Sequence, residues 1–122
     1  MKRVLVVDDS ASVRQQVSLA LTEAGFEVVQ AGDGLTALSR AAESSFSALV
    51  LDVNMPVLGG VETLERLKQD PKTSSIPVIM LTTEAQRSMN ERARQLGAKA
   101  WLVKPIKMEN VVSTVRKLAG DR

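Results

Sequence analysis

Two adjacent carboxylates at Asp8 and Asp9, a third at Asp52, a hydroxyl at Thr82 and an amine at Lys104 are the side chains best placed to act together. Each follows a short apolar run: Arg3–Val7, Ala48–Leu51, Ile76–Leu81 and Ala100–Val103. Runs so rich in Val, Leu and Ile read as strands buried on both faces of a parallel sheet. In an open α/β sheet, ligands bind beyond the carboxyl ends of the strands, and all five polar residues fall there. Three converging carboxylates repel one another and raise their own pKa values unless a cation intervenes. The chain has no His and no Cys, so the donors are oxygens and the metal is a hard one. A partly hydrated Mg²⁺ completed by substrate phosphate fits best. A metal, a lysine and a hydroxyl around one carboxylate are the parts needed for phosphoryl transfer onto it. Asp52 is then the in-line nucleophile, Lys104 neutralises phosphoryl charge, and Thr82 donates a hydrogen bond.

Plainer roles exist for each residue. Asp8-Asp9 could be a turn, with Asp9 or Ser10 capping the next helix, although two acids exceed what a cap needs. Lys104 could be a surface lysine, but Pro105 follows it and stiffens the chain. Thr82 could cap a helix, but Thr83 with Gln86 three residues on already resembles a capping box.

Alternating elements must position these groups. Val13, Val17, Leu21 and Ala24 stripe a first helix stopped by Gly25, and Phe26–Gln30 reads as an edge-like strand. Asp33 caps a second helix through Ala37, Leu38 and Ala41. Val61, Leu64 and Leu67 stripe a third that ends before Pro71; a fourth runs from about residue 84 to Leu96 and stops at Gly97. Val111, Val112, Val115 and Leu118 stripe the fifth, closed by Gly120. The result is an α/β fold, a (βα)5 alternation whose parallel sheet is covered on both faces. The 122 residues are expected to form one domain, 1–122, with no repeat, linker or attached effector module.

Composition narrows the function further. Without Cys, disulfides, thiolate metal sites and cysteine nucleophiles are excluded; without His, the chain cannot carry a phosphohistidine. No apolar stretch is long enough to span a membrane, and the start reads as a strand rather than an export signal, so the cytoplasm is the expected location. Charge is uneven: residues 1–84 carry 7 basic and 11 acidic side chains, residues 85–122 carry 9 and 3. A basic C-terminal half suits an acidic protein partner. Two Phe and one Trp are too few for base stacking, so direct nucleic-acid binding is not expected.

The motifs resemble those of the receiver domain of bacterial response regulators, in length and content the stand-alone, CheY-like chemotaxis type. The resemblance rests on Val-Leu-Val-Val-Asp8-Asp9-Ser10, Leu51-Asp52-Val-Asn-Met-Pro56 with Gly60, Leu81-Thr82-Thr83, and Gly97-Ala98 leading to Lys104-Pro105-Ile106. It covers essentially the whole chain and implies a doubly wound, flavodoxin-like sheet of order 2-1-3-4-5 with a cis Lys104–Pro105 bond. It also implies that Asp52 is the phospho-acceptor, loaded by a histidine kinase or phosphotransfer protein. Asp9 and Asp52 would bind Mg²⁺ directly, Asp8 through water and Asn54 through its backbone carbonyl. Lys104 would contact the phosphoryl group and Thr82 would be the switch hydroxyl. Asn54 and Glu84 would set water access to the acyl phosphate, and this pair implies a phosphorylated state lasting seconds to minutes.

Two positions depart from the family pattern. Trp101 stands where Tyr or Phe is usual, three residues before the lysine, and its bulk makes an inward switch harder to fit. Gly59 precedes Gly60 where a polar residue is common. The implied output is a change in affinity of the helix 4–strand 5–helix 5 face for a target protein. Arg87, Arg92, Arg94, Lys99, Lys107, Arg116 and Lys117 are expected to make that face basic. The chain would be a monomer, with phosphorylation-dependent dimerisation as the variant. It would be no enzyme beyond promoting its own phosphorylation and dephosphorylation. Within this class the alternatives are a phosphorelay intermediate, a phosphate sink, or the receiver part of a longer regulator. A haloacid-dehalogenase-type phosphatase would want a second aspartate where Asn54 stands, and a flavodoxin-like cofactor binder would not place Asp8-Asp9 against phosphate.

Overall fold

A computed structural model describes residues 2–83 and 87–120, with side chains given for 2–83 and 91–120. Five strands, β1 (Arg3–Val7), β2 (Glu27–Ala31), β3 (Ala48–Asp52), β4 (Val78–Thr82) and β5 (Ala100–Val103), alternate with five helices. The helices are α1 (Ala11–Glu23), α2 (Gly34–Glu43), α3 (Gly60–Gln69), α4 (Arg87–Gln95) and α5 (Met108–Ala119). The strands form one parallel sheet of order β2-β1-β3-β4-β5, as the resemblance implied. Such an order reverses direction between β1 and β3, which opens a crevice at their carboxyl ends.

Strand alternation builds the two halves of the core. Leu5, Val7, Leu49, Leu51, Val78 and Met80 point to the layer of α2, α3 and α4, where Ala37, Ala41, Leu64, Leu67 and Ala93 meet them. Val4, Val6, Val50, Ile79 and Leu81 point to α1 and α5, against Val17, Leu21, Val111 and Val115. Each fully buried Leu or Val contributes roughly 1.5–3 kcal/mol by leaving water. Among the described residues no helix is long and apolar enough to cross a membrane.

Local signals set the helix ends. Ser10 caps α1, its Oγ accepting from Val13 N, and Asp33 caps α2 by accepting from Thr36 N. Glycines with positive φ, Gly25 and Gly97, follow α1 and α4, a conformation a side chain would disfavour. The Lys104–Pro105 peptide is cis.

Two expectations need correction. β5 was expected to be buried on both faces, yet it lies at the sheet edge, with Ala100, Trp101 and Leu102 half-buried and Val103 42% exposed. Its apolar run is explained by one covered side and by packing of Trp101 and Leu102 on opposite halves of the core. β2 spans Glu27–Ala31 rather than Phe26–Gln30, because Phe26 is spent on the core between α1 and the sheet. Glu84 and Gln86 lie outside the described residues, so the roles given to Glu84 and to the Thr83–Gln86 box have no structural account.

Candidate functional site

β1 and β3 pair in register, Val7 against Leu51, so one further step brings Asp8 opposite Asp52. The carboxylates of Asp8, Asp9 and Asp52 each offer an oxygen within 4.8 Å of the others. Asp8 and Asp52 are buried and Asp9 is exposed, so the cluster runs from the interior to the surface. Asp8 Oδ1 accepts from Ser10 N at 2.9 Å; Asp8 Oδ2 is buried without a hydrogen-bond partner among the described residues. Because Ser10 caps α1, Asp9 is not spent on that task.

Lys104 enters from the β5–α5 connection. Its Nζ stands 3.1 Å from Asp52 Oδ1 and 3.5 Å from Asp8 Oδ2. One ammonium thus faces two of the three carboxylates, and it does not offset the cluster. Burial first, then the charge of Asp8, pushes Asp52 from 3.8 up to about 6 against the opposing pull of Lys104, with Asp9 adding to the rise. Lys104 answers in kind: burial would lower it, but Asp52 and Asp8 hold it above its ordinary value. The buried Asp8 oxygen that no hydrogen bond reaches among the described residues, the raised Asp52 and the all-oxygen donor set fit a divalent cation.

Thr82, the last residue of β4, is wholly buried, and its Oγ1 has no hydrogen-bond partner among the described residues. The sheet holds its backbone firmly, since Lys104 N donates to Thr82 O at 2.7 Å. The next connection is tied down as well: Val53 N donates to Leu81 O and Gly60 N donates to Val53 O. Asn54 is exposed in that β3–α3 loop, where Val57 takes φ 69 while 77% exposed. A β-branched residue at positive φ is a genuine outlier, and nothing in the sequence pattern signalled it.

The remaining residues of interest scatter. The indole of Trp101 packs on the α2–α3–α4 half of the core, with Nε1 buried and unpartnered among the described residues. The basic side chains do not gather on one face. Arg92 pairs with Glu65 of α3 at 2.8 Å, and Arg116 donates to Ala24 O beyond the end of α1. Lys99 and Lys117 do border a groove of about 440 Å³ with Trp101, Leu102 and Leu118. The side chain of Arg87 is not described.

One residue that sequence reasoning did not single out joins the site. Arg14 of α1 donates from Nη1 to Asp8 O at 2.6 Å and from Nε to Gln30 Oε1 at 3.1 Å. Its position six residues after Asp8, one helical turn past the Ser10 cap, was the available signal.

Comparison with known proteins agrees with this geometry. The response regulator receiver domain family matches residues 4–116. A probable chemotaxis protein CheY of Rhizobium etli is 34% identical over 119 residues, covering 97% of this chain and 92% of that protein. The solved structure of the chemotaxis response regulator CheY4 of Vibrio cholerae superposes with a TM-score of 0.90 at 40% identity, covering 97% of this chain and 98% of that one. A longer relative, the DNA-binding dual master transcriptional regulator RpaA of Synechocystis, is 34% identical over 118 residues. The chain spans 97% of itself but only 49% of that protein in the match.

Proposed function

The chain belongs to the response regulator receiver domain family, and from that premise we propose that it is a two-component signalling switch loaded by phosphoryl transfer to Asp52. The observation that carries the reading is the unbalanced pocket: three carboxylates within 4.8 Å, and one lysine shared between two of them. Asp8, Asp9 and Asp52, with the backbone carbonyl of Asn54, would hold Mg²⁺. When bound, the cation supplies charge neutralisation for the carboxylates and for the phosphoryl oxygens.

The donor is a phosphohistidine on a histidine kinase or phosphotransfer protein. A carboxylate oxygen of Asp52 attacks phosphorus, the P–N bond breaks, and its electron pair leaves with the imidazole. Lys104, already 3.1 Å from Asp52, keeps the carboxylate ionised and then pairs with the phosphoryl group. Thr82 Oγ1, a buried hydroxyl without a hydrogen-bond partner among the described residues, donates to a phosphoryl oxygen. Water returns Asp52 to its starting state, at a rate set by Asn54 and Glu84. The protein therefore catalyses only its own modification.

The output is altered affinity of the α4–β5–α5 face for a target protein in the cytoplasm. Support comes from the Lys99–Lys117 groove over Trp101 rather than from the full basic set, because Arg92 and Arg116 are turned to α3 and α1. A second reading, the receiver segment of a longer regulator, is favoured by the half-length match to RpaA.

Intact mass after incubation with acetyl phosphate and Mg²⁺ tests the core claim. One added phosphoryl group is expected, lost in Asp52→Asn and lost without Mg²⁺. An unchanged mass in the intact protein rules out Asp52 loading.

A further inference from the structure

Arg14 is a cation set beside a cation-binding pocket, and elementary electrostatics would keep it away. It nevertheless makes a short bond, 2.6 Å, from Nη1 to the backbone carbonyl of Asp8. That carbonyl belongs to the peptide joining Asp8 to Asp9, so fixing it fixes the plane from which the Asp9 carboxylate departs. The preceding peptide, Val7–Asp8, is held as well, where Asp8 N donates to Ala31 O at 3.2 Å. The guanidinium is itself locked. Nε donates to Gln30 Oε1 at the end of β2, and the plane passes over Gly32, where an added methyl would stand 3.4 Å from Nη1. One planar group therefore ties α1, the end of β2 and the acidic loop together. Arginine suits this task because its donors diverge in a rigid fork, which a lysine cannot copy.

We propose that Arg14 is a positioning residue for metal binding, acting through the Asp8–Asp9 peptide to hold the exposed Asp9 carboxylate over the buried pair Asp8 and Asp52. Asp9 needs such help. It is the exposed member of the cluster, whereas Asp8 and Asp52 are fixed by their burial. An exposed carboxylate on a loose loop would lose rotamer freedom on binding, and a preoriented one has already lost it. The inference rests on the proposed Mg²⁺ site.

The sign of the effect separates positioning from simple charge. Removing a positive charge near a cation site strengthens cation binding if Coulomb repulsion is all that matters. Removing an anchor weakens it. Mg²⁺ affinity should be measured by calorimetry on the unphosphorylated full chain, and checked by the Mg²⁺-induced rise in melting temperature. The variants are Arg14→Met, which keeps an aliphatic stem without a charge or a donor, and Arg14→Lys, which keeps a charge and a single donor.

Arg14→Met is expected to raise the Mg²⁺ dissociation constant by about tenfold, the lower end of what loss of an outer-shell partner costs. Arg14→Lys should recover part of that loss. Phosphoryl loading from acetyl phosphate should reach the normal extent at saturating Mg²⁺ and need more Mg²⁺ to do so. Unchanged or tighter Mg²⁺ binding by a folded Arg14→Met overturns the proposal. If Arg14→Met melts much lower without metal, the Arg14→Lys comparison decides: wild-type affinity there overturns it too. Failure of the intact protein to bind Mg²⁺ at all would instead refute the site on which the inference depends.

Discussion

Asp52 sits under opposing demands, and its titration exposes them. Its carboxyl is raised from 3.8 to about 6, by burial first and Asp8 second, so the folded metal-free chain holds this proton more tightly than the unfolded chain does. Stability contributed by such a group is present at low pH and falls as pH rises through the interval between about 4 and 6. At about 1.4 kcal/mol per unit the loss approaches ~3 kcal/mol. We expect Asp52→Asn to remove that slope and to melt higher than the intact protein at neutral pH in EDTA, by about 1–3 kcal/mol of stability. The difference between the two melting curves across pH is the measurement, since it cancels the other carboxylates. Lys104 is raised rather than lowered, so its contribution fades only in alkali and does not enter this window. The residue types of the site were legible in sequence because each stands at the end of an apolar run. Arg14 was not, because its place one turn past the Ser10 cap does not by itself say which carbonyl its guanidinium will reach.

At the scale of elements, α3 is the part most tightly fitted to the site. A Cβ on Gly60 would stand 2.1 Å from the carbonyl oxygen of Asp52 and 2.7 Å from Val53 Cα, so α3 and the end of β3 meet backbone to backbone. Helix propensity alone favours Ala over Gly by about 1 kcal/mol. Here the clash involves backbone, which cannot swing aside, and overpacking of this kind costs about 1–3 kcal/mol. Gly60→Ala should therefore lower the melting temperature and slow loading of Asp52 together; a stabilised variant would show that the helix can shift freely. The helix starts at Ser10 and Asp33 were readable from side-chain chemistry, and both cap as expected. The start of α3 was not, because its cap, Gly59, makes no side-chain bond and the contact that requires Gly60 is tertiary. β5 misled for a related reason: an apolar run does not say whether a strand will have a neighbour on one edge or on both.

Across the whole molecule, the site and the proposed output face are joined through β4 and β5, with Met80 registered against Trp101 and Thr82 against Val103. Trp101 is the sole tryptophan and carries an unsatisfied buried N–H among the described residues. Its emission should change on loading of wild type with acetyl phosphate and Mg²⁺, and stay constant in Asp52→Asn; constant emission at full loading would remove Trp101 from the switch. Period and punctuation in the sequence determined five strands, five helices and the strand ends on which the acids, hydroxyl and lysine stand, because hydrophobic repeat and cap chemistry are local properties. Tertiary structure alone decided which charges face each other. It sent Arg92 to Glu65 and Arg116 to Ala24, thinning the basic face that net charge had suggested. It also brought Arg14 onto the Asp8 carbonyl. Long flexible side chains reach across several ångströms in directions set by neighbouring elements, and no pattern within one segment records where those neighbours lie.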